Sequence, residues 1–355
     1  MNGRRFDAHI EESASAGLAS DTGTGVCSYF HSKEGCREAE AIAQVNVRQG
    51  KAPGQVHMLK LMRQIAGPGI HAVKTAAWNL KAKARRPATV RTKQGVFTVL
   101  CGDTGVGKPL YFQRQYEWEW MAKAMEFAAS RRTAAPGRGT IIDIGANLGV
   151  IAIGVLHNHL ADRAIAIEPE PRNFHLLQHN VHQNRLSRQI ICLPYAVSDR
   201  QGMMEFELSE INSGDHRVRM PGEQAAPPEL FAESTRPTIS VECCQLDHIL
   251  ARLPGEFTAD VAAIWIDVQG HEGRVFLGGK NTFSRDVPVI AEIWPYGIQR
   301  AGMSRQEFRD VAAGIWTTCW MLRDGELVPH PVAGLDAVFD ELGDAGAYDN
   351  VIFTH

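Results

Sequence analysis

Asp143, Glu168, Asp267, His271 and Glu292 are the side chains whose types and spacing point most directly to chemistry. Asp143 follows an apolar run, Thr140–Ile142, and opens the stretch that carries Gly145, Asn147 and Gly149; a further apolar run comes after it. That order predicts a buried strand, a glycine turn and a helix start. Glycine admits positive φ and leaves no Cβ between backbone and ligand. The first N–H groups of a helix point unpaired at whatever lies over the turn. A second short apolar run, Ala164–Ile167, ends in Glu168. An acid about 20 residues past such a turn, at the end of the next strand, is placed to accept hydrogen bonds from a ribose diol. The plainer reading is a turn that merely packs and a Glu168 that caps the helix starting near Pro171. The order strand, turn, helix, strand, acid favours the nucleoside.

The surrounding elements must position these groups. Strands are expected at Gly95–Leu100, Thr140–Ile144, Ala164–Glu168, Gln189–Tyr195, Thr238–Cys243, Val261–Asp267 and Val289–Ile293, with two more near Trp316–Leu322 and Asn350–Thr354. Met203–Leu208 alternates weakly and suggests an antiparallel edge. Helical spacing covers Tyr111–Ser130, the residues from Gly149 to about Leu160, and Arg172–Gln183. Alternating βα units imply an α/β fold, a mostly parallel sheet with helices on both faces. Ligands of such sheets bind outside the carboxyl ends of the strands. Asp143–Gly149, Glu168, Tyr195–Asp199, Asp267–Glu272 and Glu292 all fall there. The polar, Pro- and Gly-containing stretch 209–236 reads as a long loop on the substrate side.

With 355 residues, 44% hydrophobic, the chain can bury one large core. Its net charge of −3 does not suit a polyanion binder, and no nucleic-acid partner is expected. Seven cysteines without a C-x-x-C pair read as reduced thiols of a cytoplasmic protein. No signal-like or membrane-spanning apolar run is visible. Residues 1–55 are polar and aperiodic and read as a disordered or loosely ordered tail. Residues 56–94 read as a basic extension with helical character, and 95–355 as the main domain. From Ala41 to Gly102 there is no acid, while Lys and Arg recur. Met58, Leu61, Met62 and Ile65 line one helical face; Gly67-Pro68-Gly69 breaks it; Ile70, Val73, Ala77 and Leu80 line a second. Such a basic amphipathic segment (41–102) can touch an anionic membrane, or pack on the main domain with its lysines solvated, which is the plainer reading.

Gly102–Lys108 (GDTGVGK) imitates a phosphate-binding loop, but Pro109 stands where a Ser or Thr would hold magnesium. A hairpin turn explains its glycines more simply.

Several motifs together resemble one family. Asp143-Ile-Gly-Ala-Asn-Leu-Gly149, Ile167-Glu-Pro-Glu-Pro171, Asn173–Asn184, Ala196-Val-Ser-Asp199 with Gly202, Leu246-Asp247, Trp265-Ile-Asp-Val-Gln-Gly-His-Glu272 and Ala291-Glu-Ile293 resemble, in order and spacing, the FkbM-type methyltransferases. The similarity covers roughly residues 95–300 and extends to the final strand. The resemblance implies a class I, Rossmann-like methyltransferase fold with a mostly parallel seven-stranded sheet. It implies S-adenosyl-L-methionine as cofactor and methyl transfer to a hydroxyl of a sugar, glycolipid or polyketide-type small molecule. The residues alone do not choose this over a dinucleotide enzyme, although G-A-N-L-G lacks the spacing that accommodates a pyrophosphate. One departure stands out: the family usually has Glu where this chain has Gln269.

Under that resemblance Asp143 contacts the methionine ammonium, and Gly145 and Gly149 let the backbone approach. Asn147 fixes the turn, Glu168 takes the ribose hydroxyls, and Tyr195, Ala196 and Ser198 lie beside the adenine. Asp267 is the first choice of base. His271 titrates near neutrality, though a lone His in a polar loop is more simply an exposed ring. Glu292 is placed to pair with an acceptor hydroxyl, and Glu272 reads as a helix cap. Asp267, Glu272 and Glu292 are oxygen ligands of the kind a divalent cation takes, but without an acid at 269 no metal is expected. Asn212-Ser213-Gly214 resembles a family element; Arg217 and Arg219 either meet an anionic acceptor or are solvated. A non-catalytic binding module and, more remotely, a phosphate-loop NTPase are the alternatives.

Overall fold

The computed structural model describes residues 71–84, 86–219 and 229–355. The chain divides into two units, 1–70 and 71–355. The expectations for the tail, and for the helical face of Met58, Leu61, Met62 and Ile65, lie outside the described residues.

The second unit is built on a sheet of eight strands. These are β3 (Thr140–Ile144), β4 (Arg163–Ile167), β5 (Ile190–Leu193), β10 (Val261–Ile266), β11 (Val289–Ile293), β12 (Thr318–Arg323), β13 (Glu326–Pro331) and β14 (Asp349–Thr354). Their spatial order is β13-β12-β14-β11-β10-β3-β4-β5. The run from β11 to β5 is parallel, and β14 enters antiparallel between β11 and β12. This is a seven-stranded order of the kind the resemblance implies, with β13 appended as a hairpin partner of β12. Every residue of β3, β10 and β11 is buried, as expected of strands covered on both faces. Alternate side chains feed two cores: Ile142, Ile144, Ile264 and Ile266 in one, Ile141, Ala263 and Trp265 in the other.

Three local expectations change. Met203–Leu208 and Thr238–Cys243 are not in this sheet. They form β7 (Gly202–Glu207) and β9 (Thr238–Cys244), which join β6 (Ala196–Val197) and β8 (Arg217–Val218) in a four-stranded sheet of order β6-β9-β7-β8. Only one face of these strands is covered, which is why their sequences alternate. Residues 71–83 are helical, but Val73 and Leu80 are exposed, and the buried anchor is Trp78 against Tyr111 and Phe112. The end of the basic extension is a strand, β1 (Pro87–Thr92), paired antiparallel with β2 (Gly95–Leu100).

The expected helix Tyr111–Ser130 is broken in two. A helix Gly107–Gln113 ends at Arg114 and another runs Trp118–Ser130. Arg114 and Glu117 take left-handed backbone, φ 63° and 49°. The β1–β2 turn forces the break. Gln94, fully buried, accepts the Tyr116 N–H (2.9 Å) and donates to the Tyr116 carbonyl (2.8 Å), while the Lys93 N–H donates to the Arg114 carbonyl.

Candidate active site

The carboxyl ends of β3, β4 and β10 open on two cavities that share a wall. The first, narrow cavity is lined by Asp143, Gly145, Asn147, Glu168, Tyr195, Ala196, Asp267 and His271. The second, about 680 Å³, is lined by Leu230, Phe231, Trp294, Tyr348, Glu292 and residues 208–212 among others. Tyr116, Glu117, Gly214, Asp267 and Gln269 line both.

The glycine turn is shaped as expected but not wholly for the reason expected. Gly145 has φ +85°, and a Cβ there would lie 1.8 Å from the Asp267 carbonyl oxygen. Its glycine is required by the close approach of the β10 loop. Gly149 does not line either cavity. At φ +83° it packs against Leu177, where a Cβ would meet Cδ1 at 2.6 Å, so it is a packing glycine. Asn147, also at positive φ, keeps a buried Oδ1 without a hydrogen-bond partner among the described residues.

Asp143 accepts the Ala152 N–H (3.0 Å) in the first turn of the helix Val150–His157. Burial pushes its carboxyl up to about 7. Glu168 accepts the N–H groups of Asn147 and Glu170, both at 2.9 Å, and burial still pushes it up to about 8. It therefore ties the glycine turn to the end of β4. The helix from Pro171 is capped instead by Glu170, which accepts the Asn173 N–H.

His271 is buried, not exposed. Its Nε2 pairs with Ser198 Oγ at 2.9 Å, its Nδ1 has no partner among the described residues, and burial lowers it to about 4. It lines the first cavity only. A ring held neutral beside Ser198 builds the wall there and is a weak base. Ser198, fully buried, reaches that wall through the ring and lines neither cavity. Glu272 does not cap its helix. Its Oε1 accepts the Val268 and Gly270 N–H groups, so it braces the loop that carries Asp267.

Gln269 is the group whose use the sequence did not disclose. In left-handed backbone (φ 56°), its amide nitrogen donates to Asp267 Oδ1 at 2.7 Å and reaches Glu292 Oε1 at 3.4 Å. The departure from the family pattern thus supplies a neutral donor between two buried acids. Both acids are raised by burial, and Glu292 also by the charge of Asp267. No group of acids, His and Cys among the described residues is arranged to hold a metal.

Two sequence candidates are spent elsewhere. In the Gly102–Lys108 stretch the Asp103 carboxylate accepts the N–H groups of Gly105, Val106 and Gly107 and the N–H and hydroxyl of Ser213. The donors a phosphate would need are taken, Lys108 is exposed, and the turn leads into a helix, not a second hairpin strand. Its purpose is to dock residues 211–214 onto the wall between the cavities. Arg217 is neither solvated nor open to an acceptor: it is buried against Asp215, Glu207 and Glu233 and lies 4.7 Å over the Trp294 ring. Arg219 and Arg236 also pair with Glu207.

The lining of the first cavity holds four acids, Glu117, Asp143, Glu168 and Asp267, and neither Lys nor Arg. A pyrophosphate would meet four acids there and no cation among the lining residues to neutralise it. A nucleoside bearing positive charge meets complementary walls: a ribose acid at Glu168, acids near the turn, and apolar contacts from Tyr195, Ala196 and Val197.

Comparison with known proteins comes to the same region. Residues 143–312 match the methyltransferase FkbM domain. A 2-O-methyltransferase, NoeI, of Sinorhizobium fredii (strain NBRC 101917 / NGR234) is 30% identical over 156 residues, which is 43% of this chain and 62% of that protein. The crystal structure of a methyltransferase FkbM from Methylobacillus flagellatus KT aligns with 70% of this chain and 50% of its own, at 11% identity and TM-score 0.39. A precorrin-6y C5,15-methyltransferase from Geobacter metallireducens GS-15 aligns with 66% and 87%, at 10% identity and TM-score 0.32.

Proposed function

We propose, from the match of residues 143–312 to the methyltransferase FkbM domain, that the chain is an S-adenosylmethionine-dependent O-methyltransferase acting on a hydroxyl of a sugar, glycolipid or polyketide-type small molecule. The observation that carries this reading is the shared wall: a narrow acid-lined cavity opens, at Asp267 and Gln269, onto a roomier one with an aromatic floor.

Bound in the first cavity, the cofactor supplies an electrophilic methyl group on a sulfonium whose departure needs no protonation. Glu168 holds the ribose hydroxyls and Asp143 faces the methionine ammonium. Tyr195 and Ala196 flank the adenine, with Ser198 and His271 building the wall behind them. The chain's remaining task is alignment, because holding two reacting atoms in line and in contact removes several kcal/mol of barrier, roughly 7–11 in favourable cases. Asp267, fixed by Gln269 on one side and by the Glu272-braced loop on the other, faces the point where the cavities meet. Phe231, Trp294 and Tyr348 give the acceptor an aromatic surface, Phe231 meeting Trp294 edge to face, and Glu292 would pair with a hydroxyl of it. The reading does not involve the basic segment 41–102, of which 41–70 lies outside the described residues.

Titration calorimetry with S-adenosylhomocysteine, on the intact chain and on Glu168→Ala, tests the site. Saturable binding weakened at least tenfold in the variant, about 1.4 kcal/mol, supports it. Equal affinity in the two proteins removes the ribose assignment. Incubation with methyl-labelled cofactor and a panel of methyl glycosides then tests transfer.

A further inference from the structure

We propose that Glu117, which lies outside the region matched by the methyltransferase domain, takes the proton of the acceptor hydroxyl at the wall between the two cavities. The proposal rests on the methyl-transfer reading above.

Four observations carry it. First, Glu117 is held where a continuous helix would not put it. A non-glycine residue in left-handed backbone costs about 1–2 kcal/mol, and the Gln94 clamp on Tyr116 maintains it. Strain of this kind collects at functional sites. Second, the residue stands at the N-cap of the helix Trp118–Ser130, yet its side chain makes no capping bond. Third, its carboxylate makes no hydrogen bond or ion pair among the described residues. Asp267 and Glu292, in contrast, both face the Gln269 amide. Fourth, Glu117 lines both cavities, whereas Glu292 lines only the second and His271 only the first.

Four titratable groups face Glu117. They are Asp267, Glu292, Tyr116 and Tyr348, with no cation among the residues that line the shared wall. Burial, and then the charge of Asp267, push Glu117 up to about 7. A base with such a raised value is partly protonated near neutral pH in the empty protein and accepts a proton readily once ionised. A sulfonium in the first cavity places positive charge beside it and favours the ionised form.

The step balances. The acceptor O–H bond breaks and its proton passes to a Glu117 carboxylate oxygen. The hydroxyl oxygen forms its bond to the methyl carbon, and the carbon–sulfur bond breaks with its electron pair going to sulfur. One positive and one negative charge disappear together, leaving a neutral thioether and a carboxylic acid. That acid then loses its proton to water through the second cavity.

The test compares S-adenosylmethionine with S-adenosylhomocysteine, which differ at sulfur by one methyl group and one charge. Calorimetry at neutral pH, in buffers of different ionisation enthalpy, reads the protons released on binding. The expected result is greater release with the sulfonium, a difference that Glu117→Gln abolishes while S-adenosylhomocysteine affinity stays within about threefold. With an acceptor from the glycoside panel, the same variant loses about 10²-fold or more in kcat and loses the rising limb of its pH profile near 7. Glu117→Asn, a residue type tolerant of left-handed backbone, serves in the same way should the glutamine variant fold poorly. A variant that keeps both the proton difference and the pH limb overturns the proposal, as does one that loses S-adenosylhomocysteine binding. Failure of the unaltered chain to bind S-adenosylhomocysteine would instead overturn the methyl-transfer reading.

Discussion

Replacing Gln269 by Glu perturbs the amide that bridges Asp267 and Glu292 while keeping its shape. The bridge consists of one contact of 2.7 Å and a longer one of 3.4 Å, both from the same nitrogen to buried carboxylates. A protonated Glu at 269 still has one O–H to give to Asp267, so at low pH the loss is small. Once ionised it donates nothing and adds a third negative charge. Loss of a charge-assisted donor costs about 1.5–3 kcal/mol. The sign follows from linkage. Burial beside two acids raises the folded-state value of a Glu above its unfolded value of about 4.3. Its contribution is then present below that value and is lost as pH rises through the folded one. At about 2 °C or a little more per kcal/mol for a unit of this size, the variant melts ~3–8 °C below the parent at alkaline pH and close to it near pH 4.5. Differential scanning calorimetry of both proteins across that range is the assay. A melting difference that does not change with pH, or a variant more stable at alkaline pH, refutes the bridge.

Three further outcomes follow from the same geometry. Gly145→Ala brings a Cβ to 1.8 Å from the Asp267 carbonyl and demands positive φ of alanine; it should cost ~2 kcal/mol or more, and an unchanged melting temperature would contradict that. The empty protein should be most stable on the acid side of neutrality. Asp143 and Glu272 (each about 7) and Glu168 (about 8) are raised, so their contribution falls as pH rises through those values; His271 (about 4) is lowered, so its contribution is lost as pH falls toward it. A melting temperature that climbs steadily from pH 6 to pH 8.5 would be inconsistent with this. Finally, the second cavity is lined by Glu117, Glu210, Asp215, Asp267 and Glu292, and its one described cation, Arg236, is paired. A phosphorylated analogue of a working neutral acceptor should therefore be methylated at least tenfold more slowly, about 1.4 kcal/mol, and equal rates would count against the acid-lined cleft.

The parts of this site that were legible from sequence are those fixed by local chain order. Thr140–Gly149 and Ala164–Glu168 place a turn and an acid by short apolar runs and glycine alone, and the turn follows β3 and the acid follows β4 in that order. What stayed hidden depends on contacts distant in sequence. Glu117 reads as one more residue of an amphipathic helix, because the Gln94 amide that breaks that helix sits 22 residues earlier along the chain. His271 looks like a loop histidine until Ser198 is brought beside it. Arg217 looks free until Asp215, Glu207 and Glu233 close round it. The imitation phosphate loop shows the converse: its glycines match a motif, but Asp103 inside the motif consumes the donors. Residues Pro87–Thr92 alternate as a strand does, yet the surrounding excess of Lys and Arg masked that period.

The central claim is that a sulfonium nucleoside lies in the acid-lined cavity with its reactive end toward the shared wall. A crystal structure of the chain with S-adenosylhomocysteine measures this directly. The account predicts the ribose hydroxyls on Glu168 and the sulfur facing Asp267 and Glu117. A ligand bound elsewhere, or bound there with its sulfur turned away from that wall, would contradict it.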